Sequence, residues 1–136
     1  MQGREFLKPA RTLAAQKSEA DWRGAAVHAY YAIFLECRDA LRRWGRLPVG
    51  RHNVHPAVRL KLTYTANVDL KQLADVLEKL ADLRSRASYN LGWLSQFQTD
   101  LAAWDAIKKA SDAIVLLDAI EADPARRAAA IASVPP

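Results

Sequence analysis

Arg84 and Arg86 stand one residue apart, with Tyr89 close behind, at the end of a long amphipathic segment. Guanidinium groups bind phosphate oxygens in pairs, and a nearby tyrosine can stack on a base or donate a hydrogen bond. Of the three histidines, His28 and His55 are the candidate general bases, because imidazole titrates near neutrality. His28 with Arg84, a base beside a phosphate-binding cation, is the pair read as catalytic. Each residue also has a plain structural reading. Cations at a helix end favour its dipole, His28 can be satisfied by a neighbour, His55 can simply open a helix, and Tyr89 can pack.

A second basic concentration runs from Arg38 to Lys61 through Arg42, Arg43, Arg46, Arg51 and Arg59, opposed only by Asp39. Residues 1–64 hold 12 Lys/Arg against 5 Asp/Glu, a net of +7, whereas residues 65–136 hold 8 against 10, a net of −2. Such a cluster is what binding to phosphate backbones requires. The alternatives are a solvated face, or one paired with the acidic half of a second copy.

Other chemistries fare worse. Cys37 is the single cysteine, so no intramolecular disulfide or thiolate metal cluster is available. No Glu-x-x-His pair suits a ferritin-like metal bundle: Glu36 is followed three residues on by Asp39, and Glu78 by Ala81. Gly-rich phosphate loops, nucleophile elbows and H-E-x-x-H are missing. Neither a metal nor a cofactor is expected. The N-terminus lacks a signal peptide's apolar core, and no stretch is long enough to span a bilayer, so a cytoplasmic protein is expected with no membrane partner.

The elements that must carry these residues read as helices. Half of the 136 residues are hydrophobic and only five are glycine, which favours one all-α domain with a real core. The centre is Ala25–Leu41. Trp22, Ala26, Ala29, Tyr30, Ile33, Cys37, Leu41 and Trp44 follow helical spacing, and Val27, Tyr31, Phe34 and Leu35 make a second apolar face. A helix apolar on most sides is wrapped by its neighbours. Ser18 to Asp21 has capping-box layout and Gly45 stops the helix. A first helix spans Phe6 to Gln16 and begins near Leu7 or Lys8, because Pro9 is tolerable only in a first turn.

Beyond the basic loop Gly45–Asn53, Pro56 starts a third helix running to about Thr65, although the alternation of Leu60, Leu62 and Tyr64 would also suit a strand. Asn67 or Asp69 opens the fourth, with Leu73, Val76, Leu77, Leu80, Leu83 and Ala87 as its core stripe. Asn90–Gln98 is an unusually apolar loop that either folds over the bundle or meets a partner. Thr99 caps the fifth helix, with Ala103, Ala106, Ile107, Ala110, Ile114, Leu117 and Ile120 facing inward. Residues 1–122 form the bundle, and 123–136 a short helical or disordered tail.

Three local patterns carry a resemblance. AVHAYYAIF in the second helix is similar to the AYYAMF-type signature of the HEPN domain family. His55-Pro56-Ala57-Val58 resembles that family's H-x-x-V helix start, and Leu83-Arg84-Ser85-Arg86-Ala87-Ser88-Tyr89 its L-R-x-R-A-D-Y helix end. Order and spacing cover residues 5–121. The resemblance implies an up-and-down antiparallel bundle of about five helices that dimerises, with links to nucleotidyltransferases, toxin–antitoxin pairs and RNA handling. HEPN ribonucleases use R-x4–6-H contributed by two facing protomers. Here Tyr89 stands where the histidine of Arg84 would be, and Asn90 to Trp93 supply none for Arg86.

The function expected is therefore a nucleic-acid- or nucleotide-associated accessory module, partner of a nucleotidyltransferase or part of a toxin–antitoxin pair, with little or no cleavage. Arg84, Arg86, Tyr89, Arg42, Arg43, Arg46, Arg51 and Arg59 would bind the RNA or nucleotide. An active ribonuclease and a purely structural interaction module are the alternatives.

Overall fold

A computed structural model of the chain describes residues 1–50, 54–92 and 96–136. Arg51, His52, Asn53, Trp93 and Leu94 lie outside them, so the readings placed on Arg51 and on the apolar side chains of Trp93 and Leu94 fall beyond the described residues. The described residues form a helical bundle and contain no strand. A 3-10 turn, Gly3–Phe6, leads into α1 (Leu7–Ala14), α2 (Glu19–Arg43), α3 (Val54–Thr63), α4 (Val68–Tyr89), α5 (Leu101–Ala122) and α6 (Pro124–Ser133). About five helices were expected. The sixth is the tail, whose first two amides, Ala125 and Arg126, are both accepted by the Asp123 carboxylate, with Pro124 at the helix start.

The central element is α2, which packs against α1, α3, α4 and α5. Ser18 caps it, accepting from the Asp21 amide. Gly45 ends it at φ +69, a backbone conformation that side-chain-bearing residues rarely adopt. Ala26, Ala29, Tyr30, Ile33, Cys37, Leu41 and Trp44 of its apolar stripe are all buried, and Trp22 half-buried. Alanines on α2 (Ala25, Ala29, Ala32) and on α5 (Ala103, Ala106, Ala110, Ala113) are buried as well, and small side chains of this kind let helices approach closely. Every residue read as inward-facing on α5 is buried.

Boundaries differ from the sequence reading by a residue or two at several ends: α1 stops at Ala14, short of Gln16, and α3 at Thr63, short of Thr65. The α3 helix begins at Val54, two residues before Pro56. Pro56 still falls within the first turn, where its missing amide costs nothing. No strand forms there: Leu62 is buried, while Leu60 and Tyr64 are exposed. At α5 the cap position belongs to Asp100, and the Thr99 hydroxyl accepts from the Leu101 amide at 3.3 Å. On α4, Asn67 is the cap, and Leu70, Leu73, Leu77, Leu80 and Ala87 are buried.

The buried Glu36 and Arg23 side chains are paired. Glu36 is buried on α2 and accepts from the Arg4 amide at 3.0 Å and from Arg4 Nε at 2.7 Å. Arg4 also holds Asp118 of α5 at 2.8 Å. The 3-10 turn lies so close to α2 that a Cβ on Gly3 would stand 2.7 Å from Leu35 Cβ and 2.8 Å from the Ala32 carbonyl. Buried Arg23 donates to the carbonyls of Arg86, Ala87, Asn90 and Leu91, and its guanidinium lies 4.8 Å from the Phe97 ring centroid. The Asn90–Gln98 segment therefore reaches the bundle at least through Phe97, which is buried, whereas Leu91 is exposed.

A candidate phosphate cleft between three helices

One cleft joins α2, α3 and α4. Tyr30 lines it from α2, His55 and Arg59 from α3, and Glu78, Asp82, Arg84 and Ser85 from α4, around a volume of about 350 Å³. Each helix brings its residue for a local reason. Tyr30 belongs to the wrapped face of α2. His55 sits in the first turn of α3, next to Pro56. Arg84 lies on α4 next to Leu83, a core-stripe residue that packs half-buried.

The histidine ring is held on two sides. It stacks on Phe34 with centroids 4.0 Å apart and planes within 7°, and Nδ1 is 2.7 Å from the Tyr30 hydroxyl. The Arg84 guanidinium lies 5.4 Å from the Tyr30 ring centroid and 5.6 Å from that of Tyr31, and it donates to the Tyr31 hydroxyl at 3.3 Å. Arg59 has its Nε buried without a hydrogen-bond partner among the described residues. A buried donor left unmade is costly unless something fills it.

Electrostatics follow from this arrangement. Burial holds His55 below its ordinary value, and the charges of Arg84, Arg59 and Arg38 push the same way. Burial drives the Tyr30 phenol up to about 12, so its hydroxyl keeps its proton. Arg84 is raised, chiefly by its hydrogen bond to Tyr31. A neutral imidazole can accept at Nδ1 from the tyrosine, which leaves Nε2 carrying the ring hydrogen. Arg59 and Arg84 thus share the cleft with Glu78 and Asp82, which lie on the same helix as Arg84.

The residues singled out from sequence are distributed as follows. Arg84 and Arg59 share this cleft. His28 does not line it. Its Nδ1 lies 2.8 Å from the Gly24 carbonyl and its ring 5.6 Å from Phe6, so α2 and the 3-10 turn occupy it. The histidine next to Arg84 is His55. Arg86 turns to the far side of Asp82, pairs with that carboxylate at 3.2 Å, and lines a neighbouring groove with Lys79 and Lys109. Tyr89 is 79 % exposed and close enough to Arg84 to act on its charge.

The basic run from Arg38 to Lys61 is divided. Arg38 and Arg59 act on His55. Arg43 pairs with Glu121 at 3.3 Å, and Arg46 donates to the Ile131 carbonyl at 3.3 Å, so both face the α5–α6 junction. Arg42 keeps a buried Nε without a partner among the described residues. Arg23, which the sequence reading passed over, fastens the end of the helix that carries Arg84. Its only signal in the sequence is a charged residue one turn before an apolar run.

No family model, no curated protein and no solved structure matches this chain. No described helix is long and apolar enough to cross a membrane. Among the described residues no group of three or more His, Cys, Asp or Glu could hold a metal ion.

Proposed function

We propose that this chain is a HEPN-type helical module that binds phosphate groups of RNA or of a nucleotide in the α2–α3–α4 cleft. In this reading it is a homodimer and acts as the accessory partner of a nucleotidyltransferase or within a toxin–antitoxin pair. One observation carries the reading. The three segments behind the HEPN resemblance, far apart in sequence, contribute Tyr30, His55 and Arg84 to a single cleft. Two of these helices bring a cation, Arg59 from α3 and Arg84 from α4, and α2 brings a hydroxyl, Tyr30, a set that suits an oxyanion. Tyr89, exposed beside Arg84, is available to stack on a base.

Binding of a fluorescent single-stranded RNA should weaken steeply as salt rises. Arg84→Gln should reduce it about tenfold or more, by the usual worth of a charge-assisted contact. Binding that ignores Arg84 and Arg59 would remove the reading.

The position of His55 favours a second reading. A neutral imidazole in the same cleft as Arg84 is the pair that a metal-independent ribonuclease needs: a base for the 2′-hydroxyl and a cation for the phosphate. Prolonged incubation with structured RNA separates the two. Cleavage lost in His55→Gln and kept in His28→Ala would make the protein an enzyme; intact RNA leaves the binding module.

A further inference from the structure

We propose that the cleft takes up a proton with its ligand: His55 becomes imidazolium as a phosphate enters, and the Tyr30 hydroxyl reverses its hydrogen bond, accepting from Nδ1–H and donating to a ligand oxygen. This rests on reading the cleft as a phosphate site. It gives Tyr30 and His55 defined roles toward the ligand and names a ligand class, a phosphate carrying two negative charges.

The groups facing His55 come from three helices. Tyr30, Tyr31 and Arg38 stand on α2, Arg59 on α3 itself, and Glu78, Asp82 and Arg84 on α4. Asp82 is engaged by Arg86, which leaves Glu78 as the main opposing charge against three arginines. The empty cleft therefore disfavours a proton on the ring. A dianion next to Arg84 and Arg59 reverses that field, and the proton comes from solvent.

Protonation forces a change at Tyr30. Imidazolium has no lone pair at Nδ1, so a hydroxyl 2.7 Å away can no longer donate to it. The tyrosine oxygen becomes the acceptor, and its own hydrogen turns to another partner. A ligand oxygen supplies it. Arg59, which lines the same cleft, adds its charge at the ligand's site. No bond of Tyr30 breaks; its O–H rotates. A singly charged phosphodiester in mid-strand drives this exchange less than the monoester at a strand end or on a mononucleotide.

Sulfate is the clean probe, because it stays a dianion across neutral pH. The imidazole resonances of the full chain are titrated from pH 4.5 to 8.5 by NMR, with and without sulfate, the His55 signal being assigned by its loss in His55→Gln. Saturating sulfate should raise the His55 midpoint by about one pH unit, and by reciprocity sulfate should bind about tenfold tighter at acid pH than at pH 8. A dinucleotide with one phosphodiester should move it less. Arg84→Gln should raise the ligand-free midpoint and shrink the sulfate-induced shift, and Tyr30→Phe should weaken sulfate binding mainly at acid pH. Sulfate that binds in an Arg84-dependent way while the His55 midpoint stays put overturns the proton uptake and leaves the phosphate site standing. Sulfate and RNA that disturb neither His55 nor Arg84 overturn both.

Discussion

The Tyr30 hydroxyl on α2 and Nδ1 of His55 on α3 lie 2.7 Å apart, in contact with the wall that Arg84 supplies from α4. Through this pair the wrapped helix and the short helix that follows it share one polar contact at the rim of an otherwise apolar core.

Burial of His55, with the arginines around it, makes stability depend on pH. The fold holds His55 below its ordinary value near 6.5, so on acidification the unfolded chain binds that proton first. This contribution to stability is complete above about 6.5 and is lost as pH falls through the lower, folded value. Urea unfolding at pH 7.5, 6.5 and 5.5 should show the decline, and His55→Gln should flatten it. A variant that keeps the wild-type slope would show that other groups cause it.

Arg84 and Arg43 should separate in their effect on RNA. Among the described residues Arg84 is held by a tyrosine hydroxyl and two ring faces, whereas Arg43 is paired with Glu121. Arg84→Gln is expected to lower the slope of log affinity against log salt by about one. Arg43→Gln is expected to leave it nearly unchanged, and equal slopes for both variants would argue for a diffuse basic surface.

Glu36 should matter far more than Asp118, although both grip Arg4. The Glu36 side chain is 8 % exposed and that of Asp118 49 %. Glu36→Ala removes a buried partner and should cost about 3 kcal/mol. Asp118→Ala removes a solvated one and should cost under about 1 kcal/mol. Chemical denaturation midpoints rank the two directly.

Two glycines should respond in opposite directions to alanine. At Gly3 the new methyl meets Leu35 Cβ at 2.7 Å and the Ala32 carbonyl at 2.8 Å, neither of which can swing aside, so a loss of about 1–3 kcal/mol is expected. At Gly24, inside α2, it meets only the Leu13 Cδ1 methyl at 3.2 Å. There the helix preference for alanine, about 1 kcal/mol, should at least offset the crowding. Thermal melts of Gly3→Ala and Gly24→Ala test the contrast.

Much of the frame can be read from residues alone, because its signals are local. Ser18 and Asn67 cap the helices they precede, Gly45 ends α2, and the inward face of α5 follows from spacing. What eludes such reading is long-range. His55 and Arg84 meet only because α3 and α4 pack side by side next to α2, and nothing in either neighbourhood announces the other. His28, two residues from Tyr30, is the more conspicuous histidine in the sequence, yet two residues are about 200° around a helix, which directs it to Gly24 and Phe6. Arg23 looks like a surface charge because its partners lie 63 to 68 residues further on. The basic run appears continuous because linear charge counts ignore that Glu121 and the Ile131 carbonyl claim two of its members.

Arg23 also changes how the chain leaves α4. Helices commonly stop on a left-handed glycine one residue past the cap; α4 is capped by Asn90 at φ −105 with Leu91 next, and a guanidinium from another helix takes up the Arg86, Ala87, Asn90 and Leu91 carbonyls. The exit is thereby freed from any demand on its own residue type. Position 90 should accept most side chains, amide exchange at that last turn should be slow where fraying is the rule, and the burden of keeping the turn wound passes to one arginine some sixty residues upstream.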